Sequence, residues 1–143
     1  MSEISAKYED LRHCIVKDRW FDNTVVIHCR GVLDMLTAPV LKNYLARICG
    51  KDPAAIIIDL TEVEFLASHG MGVLIDAHDM VSPRIAFSVV ADGPVTRRPL
   101  ELVGMHALMP LHRTLDAALE SAVADPPHSA VVQNRPLRSK ISA

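Results

Sequence analysis

Apolar residues follow two spacings along this chain, and each spacing predicts a different kind of element. Two short β-prone stretches separated by a polar turn at 18–23 predict an antiparallel hairpin. Three isoleucines in succession at 56–58 are typical of a strand that is buried on both faces and pairs in parallel. Pro110 interrupts the last apolar run, which places that run at a sheet edge. The predicted strands span 13–17, 24–29, 54–60, 85–91 and 108–111.

Apolar residues spaced three and four apart predict helices between these strands. The first helix is predicted to follow the N-cap Thr37 and to end at Gly50. Ser68 is predicted to cap the second helix and Thr114 the last. Pro99 lies in the third helix and predicts a kink or a late helix start. The apolar stripes are Leu41, Tyr44, Leu45 and Ile48 in the first helix, and Leu115, Ala118, Leu119 and Ala122 in the last.

The order of these elements is ββαβαβαβα, with a predicted loop over 61–67. Strand–helix–strand crossovers favour a parallel sheet layered with helices. We therefore expect an α/β fold with a mixed, mostly parallel sheet, an N-terminal antiparallel hairpin and about four helices. The expected organisation is a polar lead-in over 1–9, one domain over 10–124 and a disordered basic tail over 125–143.

The composition fits one such domain and indicates which partners and which cellular location to expect. Of 143 residues, 50% are hydrophobic and only 4% are aromatic, so the predicted core is mainly aliphatic. The formal net charge of −2 gives no sign of a nucleic-acid surface, although Arg135, Arg138 and Lys140 make the tail basic. The longest apolar run is 54–58 and the N-terminus lacks a signal pattern, so we expect no membrane span and a cytoplasmic protein.

The residues that could carry redox, metal or cofactor chemistry do not form the required patterns. Three cysteines without a CxxC pair predict reduced, buried thiols. The seven histidines show no metal-ligand spacing. The pair Gly70 and Gly72 lacks the third glycine of a dinucleotide fingerprint, and there is no Walker motif. We therefore expect neither a metal nor a cofactor.

The segment 56–74 is the most informative part of the chain. It predicts a buried strand, a loop and a helix start that contains Ser68 and two glycines. Amides in the first turn of a helix have no intrahelical acceptor, and they favour an anion. Alternatively, Ser68 only caps the helix and the glycines permit close packing. The residue pattern leaves both interpretations open.

This segment resembles the signature of the STAS family, the bacterial anti-sigma factor antagonists. Asp59-Leu60 at the end of the strand, Phe65-Leu66 in the predicted loop and Gly70-Met71-Gly72-Val73-Leu74 at the helix start match that signature. The resemblance extends over about residues 10–124. It includes Gly31-Val32-Leu33-Asp34 with Thr37-Ala38, Arg97 to Gly104, and Leu108-Met109-Pro110-Leu111.

The resemblance implies a non-enzymatic protein that binds an anti-sigma factor of the serine kinase type and so releases a sigma factor. In the family, the hydroxyl residue immediately before the glycine is phosphorylated, and the added negative charge switches binding off. Here His69 holds that position and Ala67 replaces the usual aspartate, so the switch lacks its hydroxyl. The implied partner-binding residues are Asp34, Thr37, Ser68, His69, Gly70 and Met71.

Several alternatives remain open at this point. One alternative is that Ser68 accepts the phosphate in place of His69, and another is that His69 makes partner binding depend on pH. A STAS subunit or scaffold of another assembly, such as a lipid-transport ATPase or a stress-signalling complex, fits the same sequence. A Ser68-dependent hydrolase is the remote alternative, because Leu66 stands where a nucleophile elbow needs its first glycine.

Overall fold

The computed structural model describes residues 14–124, so the predicted lead-in over 1–9 and the basic tail over 125–143 lie outside the described residues. The predicted order ββαβαβαβα and the α/β fold class are confirmed. The strands are β1 (Cys14–Phe21), β2 (Thr24–Leu33), β3 (Ala55–Leu66), β4 (Ala86–Val90) and β5 (Leu111–His112). The helices are α1 (Ala38–Cys49), α2 (Ser68–Val81), α3 (Arg97–Leu102) and α4 (Leu115–Ala124), with a 3-10 turn at Met105–Ala107.

The five strands form one sheet in the order β1-β2-β3-β4-β5. The first pair is antiparallel, as predicted, and the other three pairs are parallel. The hairpin turn is shorter than the predicted 18–23, because only Asp22 and Asn23 lie outside the ladder. Asp22 has a φ of 56°, a left-handed conformation that two-residue hairpins require and that aspartate tolerates.

Besides β1, which runs on to Phe21, three strands have boundaries that differ clearly from the prediction. Residues 61–66, expected in a loop, continue β3 and pair with β2, because exposed Glu62 and Glu64 alternate with buried Val63 in the pattern of a half-covered strand. The second strand runs on to Leu33 and bends where its register shifts near Gly31 (φ 100°). The last strand is 111–112 rather than 108–111, because Pro110 lacks the N–H that a ladder needs and a 3-10 turn precedes it.

The two faces of the sheet are covered unequally. On one face α1 and α2 bury a large aliphatic cluster, which includes the predicted stripe of the first helix. Among residues 14–124, only α4 packs on the other face, through Ala118, against a small cluster of Val26, Ile57 and Val90. No other described element covers the β1 side of the second face, where Lys17 is exposed.

The structure confirms two of the three predicted N-cap positions, Thr37 and Thr114, and corrects the third, Ser68. Thr37 holds the N-cap position of α1, but its side chain makes no capping hydrogen bond. The N-cap of α2 is Ala67 in an extended conformation, and Ser68 is the first helical residue. Thr114 does cap α4, since its hydroxyl accepts the backbone N–H of Ala117 at 3.1 Å. Pro99 lies in the first turn of α3, which fits the predicted late start.

Candidate functional site

Two segments meet where β2 and β3 end. Because these parallel strands are neighbours, the turn 34–37 that follows β2 lies beside the start of α2 that follows β3. The backbone N–H of Ala67 donates to the carbonyl of Leu33 at 2.8 Å, which ties the two segments together. The resemblance in the sequence drew attention to both segments, and the fold brings them side by side.

The polar groups of Asp34 and Thr37 form hydrogen bonds within the turn 34–37 and with the end of β2. One carboxylate oxygen of Asp34 accepts the backbone N–H groups of Leu36 at 2.9 Å and Thr37 at 3.1 Å. The Thr37 hydroxyl donates to the carbonyl of Val32 at 2.6 Å and accepts the backbone N–H of Asp34 at 2.9 Å. Thr37 is 4% exposed, whereas Met35 and Leu36 are 61% and 77% exposed. The turn therefore presents its two apolar side chains.

Gly70 explains how closely α2 approaches the end of β2. A Cβ atom at this position would lie 2.9 Å from Cβ of Leu33, 3.0 Å from its carbonyl oxygen and 3.1 Å from Cδ1 of Leu66. Two of these neighbours are not flexible, so a larger residue would push the helix away. A Cβ atom at Gly72, by contrast, would have no neighbour within 4 Å. The close-packing interpretation of the glycines thus holds for Gly70.

Ser68 and His69 are exposed at the N-terminus of α2. The first helical hydrogen bond runs from Met71 N–H to the Ala67 carbonyl at 3.1 Å, so the amides of Ser68 and His69 have no intrahelical acceptor. In the described part of the chain, no hydrogen bond joins the side chains of Ser68 and His69. The pair therefore lacks the nucleophile–base contact that a serine hydrolase needs.

A groove runs from this corner along the seam between α1 and α2. Its first part has a volume of about 410 Å³ and reaches from Met35 to Asp76, past Ser68 and His69. The second part, about 220 Å³, extends to Met80, which is 62% exposed. Both parts are lined by Lys42, Val73 and Asp76.

The six sequence-predicted site residues fall into three groups. Two are buried, two are half-buried and two are exposed, so they form one corner of the fold but not one accessible surface. Thr37 and Gly70 are buried, Asp34 and Met71 are half-buried, and Ser68 and His69 are exposed.

Sequence reasoning missed the apolar residues of the turn and the walls of the groove. The signal for the turn was present, because Met35 and Leu36 are large apolar residues between Asp34 and Thr37, both of which favour turns. The groove left no such signal, since Lys42 and Asp76 lie on different helices whose packing the pattern does not specify.

Asp59, which matches the family signature, has a structural place in the fold. It is 6% exposed, and its carboxylate accepts the backbone N–H of Thr61 at 3.0 Å. Its other oxygen lies 3.0 Å from Nδ1 of His28 on the neighbouring strand. The carboxylate therefore joins β2 to β3 on the sheet face that α4 covers.

All three cysteines lie within the described residues 14–124. All three thiols are free, with Cys14 and Cys29 buried and Cys49 half-buried. Burial raises the pKa of the Cys14 thiol to about 11, and burial also raises the pKa of Cys29 and Cys49.

Among these described residues, no group of three or more His, Cys, Asp or Glu could hold a metal ion. None of the helices in this range is long and apolar enough to cross a membrane.

Comparisons with known proteins agree on one family. The model of the STAS domain matches residues 18–118. The anti-sigma-F factor antagonist RsfB of Mycobacterium tuberculosis is 36% identical over 98 residues, which are 68% of this chain and 80% of RsfB.

Solved structures share the fold. The crystal structure of an anti-sigma factor antagonist from Mycobacterium paratuberculosis has a TM-score of 0.74 at 38% identity, covering 78% of this chain and 95% of that one. An anti-sigma-factor antagonist (STAS) domain protein from Planctomyces limnophilus has a TM-score of 0.64 at 17% identity, covering 74% and 95%. The match of the family model over most of the described residues establishes that this chain belongs to the STAS domain family.

Proposed function

We propose that this chain is an anti-sigma factor antagonist that binds an anti-sigma factor of the serine kinase type. Two relatives above one third identity, from Mycobacterium tuberculosis and Mycobacterium paratuberculosis, carry the name anti-sigma factor antagonist. The observation that carries the proposal is the hydrogen-bonded corner where the exposed apolar turn lies beside the start of α2. Such a preordered apolar surface loses little conformational entropy on binding.

The binding surface consists of Met35 and Leu36 on the turn, Ser68 and His69 on α2, and the groove that continues toward Met80. Exposed large apolar side chains clustered beside a groove are typical of a protein-binding surface. Asp34, Thr37 and Gly70 support this surface from beneath, because their contacts fix the turn and the helix start.

The same proposal includes the loss of the usual phosphorylation switch. A serine/threonine kinase transfers phosphate to a hydroxyl, and His69 offers an imidazole at the position the family phosphorylates. A phosphoryl group would add about −1.5 to −2 charges next to the partner. Without it, the complex is expected to persist in the presence of ATP. Ser68 is exposed and is the substitute acceptor that this proposal must exclude.

Titration calorimetry against the anti-sigma kinases of the same organism, with ADP present, tests the proposal. Binding of one kinase with a micromolar or lower Kd supports it, whereas no binding to any of them contradicts it. Leu36→Asp should abolish the heat of binding, because it places a charge in an apolar contact. The matched control is Leu102→Asp on α3, which alters another leucine that is 72% exposed but lies outside the surface.

A further inference from the structure

The outer edge of β1 is open in the described part of the fold. Within residues 14–124, β1 pairs only with β2 and forms one end of the sheet. A hairpin with a two-residue turn closes on a hydrogen-bonded pair, here Phe21 and Thr24, and such pairs alternate along the ladder. The N–H and C=O groups of Val16, Asp18 and Trp20 therefore point away from β2. This row of backbone groups is a template for one more strand.

Two cations distinguish this edge from a neutral one. Arg19 lies opposite Val26, which belongs to the cluster under α4, so Arg19 and Lys17 project on that face. Both side chains are exposed, and the Arg19 guanidinium lies 5.0 Å from the centre of the Phe21 ring. Arg30 on β2 adds a third exposed cation to the same face.

The neighbouring acids do not pair with the two cations on β1, Lys17 and Arg19. In the described residues, no ion pair involves Lys17, Arg19 or Arg30. Asp59 on this face is already paired with His28. Asp18 projects from the opposite face of β1, where it accepts hydrogen bonds from Tyr44 and Trp20.

The register also places Glu62 beside Arg30, one strand further into the sheet. That glutamate leaves the charges on β1 itself unpaired, and β1 is the strand that a partner would meet. Adjacent like charges on paired strands are destabilising, so Lys17 and Arg19 disfavour pairing of β1 with a second copy of itself. The same two charges favour a strand that carries carboxylates at alternate positions.

We propose that the edge of β1 is a docking site for an extended acidic segment of a partner protein. The segment adds a strand beside β1 and bonds to the backbone of Val16, Asp18 and Trp20. Its Asp or Glu side chains, two residues apart, lie opposite Lys17 and Arg19. Backbone hydrogen bonds supply affinity, and the two charge pairs select the sequence. This edge is at the opposite side of β2 from the α2 start, so the proposal is independent of the anti-sigma surface.

Two synthetic peptides test this site on the full chain labelled with ¹⁵N. One alternates threonine and glutamate, and the other replaces each glutamate by lysine. The glutamate peptide should shift the amide resonances of Val16, Asp18 and Trp20, whereas the lysine peptide should leave them unchanged. Arg19→Glu should weaken binding of the glutamate peptide by about tenfold, since one attraction becomes a repulsion. Arg98→Glu, the same change at an exposed arginine on α3, should leave the affinity unaltered.

Backbone methylation separates strand addition from charge attraction alone. A glutamate peptide methylated on alternate backbone nitrogens cannot donate to β1 and should lose its binding. Equal binding of the methylated and unmodified peptides would overturn the proposal, as would equal binding of the lysine peptide. Sedimentation showing a dimer that Arg19→Glu dissociates would also overturn it, because the occupant would then be a second copy.

Discussion

The turn 34–37 and the start of α2 lie side by side but use their polar residues in opposite ways. In the turn, the side chains of Asp34 and Thr37 each bond to the other residue's backbone N–H, and the Thr37 hydroxyl also donates to Val32. The apolar residues between them face outward. At the helix start, Ser68 and His69 are exposed and no side chain caps the helix. Residue polarity therefore does not indicate which of the motif residues a partner meets.

This difference separates the residues of the turn and the helix start into buried residues that support the surface and residues that are exposed on it. Thr37 and Gly70 are buried and fix the geometry of the corner. Leu36 and His69 are exposed on that corner. Substitutions in the first group should lower stability, and substitutions in the second should lower affinity for a partner while leaving stability unchanged.

The largest effect is expected at Gly70. Gly70→Ala should lower the free energy of unfolding by about 2–3 kcal/mol, because the added Cβ meets the Cβ and carbonyl of Leu33 at about 3 Å. Gly72→Ala is the matched control in the same helix, and it should raise stability by about 0.5–1 kcal/mol because nothing obstructs its Cβ. Urea unfolding measures both. Equal effects of the two substitutions would show that α2 does not depend on the contact with β2.

Thr37 should give the next largest change. Thr37→Val keeps the side-chain volume but removes the hydroxyl that bonds to Val32 and Asp34, at an expected cost of about 1–2 kcal/mol. Ser68→Ala removes a hydroxyl from the exposed segment and should change stability by less than about 0.5 kcal/mol. Chemical denaturation of both variants sharpens the comparison, and a larger loss for Ser68→Ala would reverse it.

The affinity test concerns Met35. Met35→Ala should weaken binding of the anti-sigma factor by about tenfold, since it removes an apolar anchor from the turn. Ser68→Ala should weaken binding by less than about threefold, because an exposed hydroxyl at the interface rim is readily replaced by water. Calorimetry with thermal unfolding as a folding control measures these changes. A normal affinity for Met35→Ala would remove the turn from the binding surface.

A smaller, pH-dependent effect should come from a residue outside both segments. Burial lowers the pKa of His112, and the nearby charge of Arg97 lowers it further. The folded pKa is therefore below the unfolded value of about 6.5. The resulting stabilisation is present above that unfolded value and is lost as the pH falls through the folded pKa.

The free energy of unfolding should accordingly decrease as the pH is lowered from 7 to 5, and His112→Gln should flatten this dependence. Unfolding curves at several pH values measure the difference. A His112→Gln profile as steep as that of the unaltered chain would assign the acid sensitivity to other groups.

Much of the fold could be predicted because its signals are local. The isoleucine run at 56–58 indicated the central strand, and the stripe of the first helix indicated its buried face. The continuation of β3 through Val63 was missed because acidic residues on both sides of it resemble a loop. The pairing of this part of β3 with β2 outweighs the low strand propensity of Glu62 and Glu64. That pairing depends on the tertiary fold and leaves no local signal in the sequence.

The candidate site was less predictable, because burial decides the roles of its residues. Thr37 looked like a cap, yet its hydroxyl turns back to Val32. Gly70 was recognised as a motif residue, but the reason for a glycine became visible only with Leu33 packed against it. Met35 and Leu36 were overlooked because two adjacent apolar residues in a turn show no helical or strand periodicity.

The most direct test of the proposed loss of the phosphorylation switch compares, in ATP and in ADP, the complex of the chain with the anti-sigma kinase proposed as its partner. We expect equal affinity in both nucleotides and no added phosphoryl mass on the chain. His69→Ser should acquire one phosphoryl group in ATP and then lose affinity. Phosphorylation of the unaltered chain, at Ser68 or elsewhere, with release from the kinase would contradict the proposal that this antagonist lacks the usual off-switch.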